Sequence, residues 1–314
     1  MLTVLLATRN RAAILRQTLE AFCFIEQPLT GWKLVIADNG STDQTPTVLA
    51  SFADRLPLRT VSEPTGGKNS ALNAGLRFVE GDLLVFTDDD VFPHSHWLVE
   101  LRKAADAQPE YSVFGGAILP RWESPPPLWV KWVDQATAYA LTDPLLKDEP
   151  IPPYQVFGPN MAIRTAVFQS GASFDASIGP RSSSYPMGSE TELCWRLYRQ
   201  GYKPWHVPSA IVEHFIRTDQ ISKSWVLKRA VRYGRGRFRL RDLEKSGAPW
   251  SVMPKWFGVP RRFLRELFEE EIRVILARLS SNEREIFCAR WKRNCVWGYV
   301  VEARLSHGHR GRGN

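Results

Sequence analysis

Thr87-Asp88-Asp89-Asp90 puts three carboxylates side by side at the end of the apolar run Leu83-Leu84-Val85-Phe86. Three like charges so close repel one another unless a cation compensates them. Carboxylate oxygens at the mouth of a buried strand suit Mg²⁺ or Mn²⁺, and Mg²⁺ commonly takes one or two carboxylates together with substrate phosphates. A solvated acidic turn or a helix N-cap is the plainer reading of the same four residues, so the neighbours must decide. Pro64-Thr65-Gly66-Gly67-Lys68-Asn69-Ser70 is one such neighbour. A Gly-Gly pair opening a helix with a lysine beside it suits a phosphate at the helix N-terminus. It lacks the Lys-Ser/Thr ending of a Walker loop, and taken alone it also reads as an ordinary loop.

The elements that must position these groups follow a clear rhythm. Leu2 to Thr8 is an apolar run, and Arg11 to Gln27 spaces Ile14, Leu15, Leu19 and Phe22 at helical intervals. Lys33 to Ala37 is a second apolar run ending in Asp38; a polar turn and an amphipathic stretch through Val48, Leu49 and Phe52 follow. A weaker strand at 59–62, a helical stretch to Phe78 and a strand at 82–87 complete the pattern. Alternating strands and helices, with strands apolar throughout, predict a mainly parallel α/β sheet covered on both faces. In such sheets ligands sit beyond the carboxyl ends of the strands, where Thr8, Asp38 and Asp88 all fall.

Five segments occur in an order that resembles the family 2 glycosyltransferases: Ala-Thr-Arg-Asn-Arg (7–11), Ala-Asp-Asn-Gly-Ser-Thr-Asp (37–43), Gly-Gly-Lys-Asn-Ser-Ala-Leu-Asn-Ala-Gly (66–75), Thr-Asp-Asp-Asp (87–90), and the pair Phe157–Arg164 with Gly188–Leu193. The resemblance ends near Val207-Pro208 and Glu213-His214, about two-thirds of the way along the chain. It implies the nucleotide-sugar-binding GT-A fold, Rossmann-like, with a mainly parallel sheet flanked by helices. It also implies an inverting transfer from a nucleotide-diphosphate sugar to a hydroxyl of a saccharide or lipid-linked acceptor.

The resemblance assigns roles residue by residue. Asp38 would accept the imide N–H of uracil or thymine, which favours a UDP- or dTDP-sugar, although it also fits a turn-initiating residue as Asp43 does. Thr8 and Arg11 would flank base and phosphates, with Lys68 and Asn73 lining the nucleotide pocket. Asp88 would serve the ribose or the metal shell, Asp89, in the middle position where the family varies, is a further candidate ligand of the nucleotide sugar, and Asp90 would hold Mn²⁺ or Mg²⁺. His214 would complete that metal site, imidazole being a reasonable Mn²⁺ ligand; a structural histidine is its other reading. The family wording Gly-Glu-Asp-x-Glu/Asp-Leu is altered here, with Ser189 where Glu usually stands and Glu190 where the Asp stands. Glu190 is therefore expected to be the base, with Glu192 as the alternative; both also read as acids complementing a helix N-terminus.

The chain has 314 residues, enough for one large domain or a domain with an appendage. Its four cysteines carry no metal spacing, which fits a reducing compartment. Met1 leads directly into a strand and no apolar run approaches a bilayer span, so a cytoplasmic protein, peripheral on the inner membrane face at most, is expected. Residues 1–150 carry 13 Lys and Arg against 19 Asp and Glu, whereas residues 217–314 carry 23 against 10. The basic excess includes Lys228, Arg229, Arg232, Arg235, Arg237, Arg239 and Arg241, with Trp225, Trp250, Trp256 and Phe257 nearby. An amphipathic helix follows from Arg261, carrying Leu267, Phe268, Ile272, Ile275, Leu276 and Leu279, and the His307–Gly313 tail is expected to be disordered. That composition suits an anionic membrane surface, or a helix packed with its basic face in water. Nucleic acid is disfavoured because no recognition motif accompanies the patch.

Residues 120–153 are rich in Pro and Trp around a helix-like centre, Leu128 to Leu141. They read as a lid or acceptor-facing insertion, or as a loop anchored by its tryptophans. Residues 1–216 are thus expected to form the GT-A catalytic domain and 217–314 a basic, aromatic-rich helical region. The competing classes are a sugar nucleotidyltransferase and a nucleotide-sugar-binding scaffold without turnover.

Overall fold

The computed structural model describes residues 1–181, 185–244 and 253–310. In chain order its elements are β1 (Leu2–Thr8), α1 (Ala12–Phe22), β2 (Trp32–Asp38), α2 (Thr45–Ala50), β3 (Leu58–Ser62), α3 (Lys68–Gly75), β4 (Leu83–Phe86), β5 (Val91–Pro93), α4 (Trp97–Ala107) and β6 (Val113–Trp122). There follow α5 (Gln135–Tyr139), β7 (Met161–Arg164), α6 (Thr165–Gln169), α7 (Ser189–Arg199), β8 (Pro204–Ile216), α8 (Lys223–Glu244), β9 (Lys255–Trp256), β10 (Val259–Pro260), α9 (Arg261–Leu279) and α10 (Glu283–Arg310).

Eight strands form one sheet in the order β3-β2-β1-β4-β7-β6-β8-β5. β3, β2, β1 and β4 are parallel, and β7 joins β4 antiparallel. The register aligns Thr8 with Asp38 and Asp38 with Ser62, so these strand ends share one rim. β1, β2 and β4 are apolar almost throughout because helices cover both faces, which leaves no polar alternation to see. α1 turns Leu15, Thr18, Leu19 and Phe22 inward, a spacing of three and four residues. On one side of the sheet Leu5, Leu84, Phe86, Met161 and Ile163 pack with Leu193, Cys194 and Leu197 of α7. That packing fixes the helix that begins at Ser189.

The chain divides into two compact units. The first comprises residues 1–121, 140–177 and 189–215; the second comprises 122–139, 178–188 and 216–314. The second unit thus contains 217–314 together with two segments from earlier in the chain. Its core gathers Phe238 of α8, Val259 of β10, Phe263 of α9, and Val300 and Ala303 of α10.

Two expectations are revised here. Residues 128–141 are not one helix: a 3₁₀ turn at Leu128–Trp132 precedes the short α5. Within the second unit the rings of Trp129 and Trp132 lie against Phe287, and Tyr139 stacks on Trp225, so the aromatic residues of this segment act as anchors. The C-terminal tail is helical through Arg310, with residues 311–314 outside the described residues, as are Trp250 and its neighbours. No helix among the described residues is long and apolar enough to cross a membrane.

Candidate active site

The three consecutive aspartates turn to three different partners. Asp88 Oδ1 accepts a bond from Lys68 Nζ at 2.6 Å. Asp89 Oδ2 accepts the Thr8 hydroxyl at 2.7 Å, and its backbone oxygen accepts Thr18 Oγ1 at 3.0 Å. Asp90 lies 3.7 Å from Arg11 Nη1 through one oxygen and 3.5 Å from His214 Nε2 through the other. The crowding legible in the sequence is therefore relieved by separate neighbours, two of them cationic. Burial, and then the adjacent Asp90 charge, push the Asp89 carboxyl up to about 7.

Lys68 joins two elements of the site. Its ammonium sits between Asp88 and Glu190, 2.8 Å from Glu190 Oε1. Burial alone would lower its pKa, but the two carboxylates outweigh burial and raise it, so the residue is a permanent cation. The loop that delivers it is organised by Asn39, which donates to the carbonyls of Glu63 and Thr65 and accepts the Gly67 N–H. Gly67 has φ +126°, a conformation that favours glycine, and it hands the chain to α3.

Glu190 stands in the first turn of α7 beside Gly158. A Cβ on Gly158 would come within 2.5 Å of Glu190 Oε1, so the glycine leaves the space that the carboxylate fills. Asn160, two residues on and fully buried, holds the turn: it accepts the Trp97 indole N–H and donates to the carbonyls of Ala117 and Ala210. Glu192 has a different setting. Both its oxygens accept from Arg196 at 2.9 Å, one turn along the same helix, and Arg196 also reaches the Ser173 carbonyl. The carboxylate beside Lys68 and Asp88 is Glu190, and Glu192 is buried in a pair with Arg196 instead.

His214 belongs to β8, two residues before the end of the strand. β5 pairs antiparallel with β8, Val91 opposite His214, and the Phe215 N–H donates to the Asp90 carbonyl. This pairing brings together residues that are 124 positions apart. An oxygen of Asp90 and a nitrogen of His214 converge there, a hard-oxygen and imidazole set that fits Mn²⁺ or Mg²⁺ when substrate phosphates complete the shell. Among the described residues no group of three such side chains lies together, so two side chains are what the protein offers.

The remaining expected residues divide. Asp38 is buried at its strand end with one oxygen accepting the Ser41 N–H at 3.0 Å. Asn73 is engaged on both amide atoms by the backbone of Phe174, which makes it a strap rather than an open pocket-lining donor. Asn39, Gly158 and Asn160 were not singled out from sequence for these roles. The signal was present only as membership of the Ala-Asp-Asn-Gly and Phe-Gly-Pro-Asn segments.

The family model described as glycosyl transferase family 2 matches residues 3–169, just over half of the chain. The chain belongs to glycosyl transferase family 2. A β-monoglucosyldiacylglycerol synthase from a Nostoc species is 33% identical over 103 residues, 32% of this chain and 22% of that one. The probable glycosyltransferase YdaM of Bacillus subtilis is 24% identical over 250 residues, 74% of this chain and 54% of that one. The chain thus spans from under a quarter to about half the length of these curated relatives. The mannosyltransferase PcManGT from Pyrobaculum calidifontis, solved with GDP-Man and Mn²⁺, aligns with a TM-score of 0.62 at 17% identity, covering 96% of this chain and 86% of that one. TarS 1–349 of S. aureus, solved with UDP-GlcNAc, aligns with a TM-score of 0.52 at 16% identity, covering 98% and 92%. At these identities what is shared is the fold, GT-A.

Proposed function

We propose that this glycosyltransferase moves a sugar from a nucleoside diphosphate donor, a UDP- or dTDP-sugar, to a hydroxyl of a saccharide or lipid-linked acceptor with inversion. The observation that carries the reading is Lys68 bridging Asp88 and Glu190 on the rim that also holds the Asp90–His214 pair. Solved relatives of the same fold with GDP-Man or UDP-GlcNAc support a nucleotide-sugar donor.

In this mechanism Glu190 takes the proton of the acceptor hydroxyl, whose oxygen forms a bond to the anomeric carbon as the bond to the diphosphate breaks. The nucleoside diphosphate leaves from the opposite face. Asp38 receives the imide N–H of the base, and Thr8 and Arg11 border base and phosphates. Lys68, between Asp88 and Glu190, orients the base carboxylate and adds positive charge beside the departing diphosphate. Asp90 and His214 would hold Mn²⁺ or Mg²⁺, which would supply Lewis-acid charge for the leaving group, while Asp88, turned to Lys68, would serve the ribose. Asp89, tied to Thr8 and Thr18, keeps the turn in place.

For a lipid-linked acceptor, the exposed bases Lys228, Arg261, Arg262 and Arg265 offer contacts to an anionic membrane surface. Calorimetry and turnover with UDP-, dTDP- and GDP-sugars, with and without Mn²⁺, test the donor and the metal together. Metal-dependent binding of a uridine or thymidine donor, lost in Asp90→Asn while the fold persists, is expected. Undiminished metal-dependent affinity in that variant would refute the metal assignment. Sedimentation with anionic vesicles across a salt series tests the membrane contact, which screening should weaken.

A further inference from the structure

α9 has two apolar faces. Phe263, Glu270 and Val274 are buried on one side, where Phe263 joins the core of the second unit and Leu267 packs against it. On the opposite side lie Phe268, Ile272, Ile275, Leu276 and Leu279, exposed by 67, 40, 56, 57 and 77%. Large apolar side chains at that density on a helix surface mark an interaction site, since isolated exposed ones need no explanation. The positions 268, 272, 275 and 279 advance by four, three and four residues, the seam spacing of a helix that packs lengthwise on another helix.

We propose that this outer face of α9 binds the same face of a second copy of the chain, antiparallel, about a two-fold axis passing between residues 273 and 274. That register is self-complementary. It sets Phe268 against the partner's Leu279 and Ile272 against the partner's Ile275, and by symmetry the reverse. The flanks admit charge pairing: Glu271, which already pairs with Arg293 of its own chain at 3.3 Å, lies on the same edge as Arg278, and the antiparallel register brings Arg278 of each copy to the Glu271 edge of the other. The exposed portions of the five side chains amount to on the order of 500 Å² per copy, or 1,000 Å² for the pair, the lower size of a specific interface.

A lipid occupant fits this face less well. Glu269 borders one edge, paired with Arg265, and Glu271 the other, paired with Arg293, so among the described residues the middle of the stripe has no cluster of basic side chains for anionic headgroups. The basic side chains of the region gather instead at the N-terminal end of α9, at Arg261, Arg262 and Arg265.

The test is the mass of the full chain in solution by light scattering and sedimentation velocity over a concentration series. A dimer is expected for the natural sequence and a folded monomer of unchanged helicity, whose melting no longer depends on protein concentration, for Ile272→Asp/Ile275→Asp. Arg278→Glu alone should weaken the dimer roughly tenfold by facing two like pairs, and adding Glu271→Lys should recover it. A protein that stays monomeric at its highest soluble concentration overturns the proposal, as does a dimer that survives Ile272→Asp/Ile275→Asp. A monomer that sediments with phosphatidylcholine or phosphatidylglycerol vesicles, and loses this with the same double substitution, overturns it in favour of lipid.

Discussion

At the scale of single residues, two acids two positions apart on α7 have different settings. Glu190 touches Lys68 and Gly158, whereas Glu192 is matched to Arg196. Glu190→Gln is expected to lower transfer by about 10²–10⁴-fold while donor affinity holds, as removal of a general base does. Glu192→Gln should instead lower the melting temperature and keep turnover; the reverse pattern would move the base to Glu192. Asp89 gives a pH prediction. Its folded pKa, about 7, lies above the 3.8 of an ordinary aspartate, so the native state retains a proton that the unfolded chain gives up. Stability of the metal-free protein should therefore fall as pH rises from about 4 to 7, and Asp89→Asn should flatten that slope. Melting temperatures in a chelator across this range check it. The sequence showed that Asp88, Asp89 and Asp90 were crowded; which partner relieved each one depended on strands that no local pattern encodes.

At the scale of elements, the turn before β7 exists to seat a side chain from α7. Gly158→Ala would push on the Glu190 carboxylate without straining the backbone, since Gly158 is not at positive φ. The expected result is a fall in kcat of roughly 10²-fold from a shift of about 1 Å, with donor affinity unchanged. Equal losses in kcat and donor binding would count against the assignment. The parallel strands were legible because β1, β2 and β4 are continuous apolar runs bounded by turns. β5 is three residues long and carries no periodicity, and the apolar pattern of β8 is broken by Pro208 and Ser209, so neither strand has a legible local signal. Arg-Tyr-Gly-Arg-Gly-Arg in α8 read as a basic surface segment for a different reason. A Cβ at Gly234 would collide with the Cys295 carbonyl, and one at Gly298 with the Val231 carbonyl, so these glycines let α8 and α10 approach closely.

At the scale of the whole molecule, the positive excess of residues 217–314 is partly an internal feature of the helical unit. Arg235 and Arg239 both bond Glu302, which is 1% exposed, Arg229 reaches the Thr137 carbonyl, and Arg232 lies over the Trp225 and Tyr185 rings. Composition could not reveal this, because one buried glutamate absorbs two arginines that sequence counts as surplus. Glu302→Ala leaves Arg235 buried without its carboxylate and should cost about 3–5 kcal/mol, read as a lower denaturant midpoint. A midpoint within error of the natural protein would show that water replaces the pair. The strand order carries a consequence for synthesis. β8 is the last of the eight strands to be made, yet it lies between β6 and β5. A nascent chain ending before residue 204 therefore shows β6 as an open edge, leaves β5 without its partner and holds Asp90 without His214. Such edges recruit other strands, so ribosome-bound chains of this length should be the species that needs chaperone cover. Release of a chain stopped at residue 203 is expected to yield aggregate, and one stopped at residue 216 less of it.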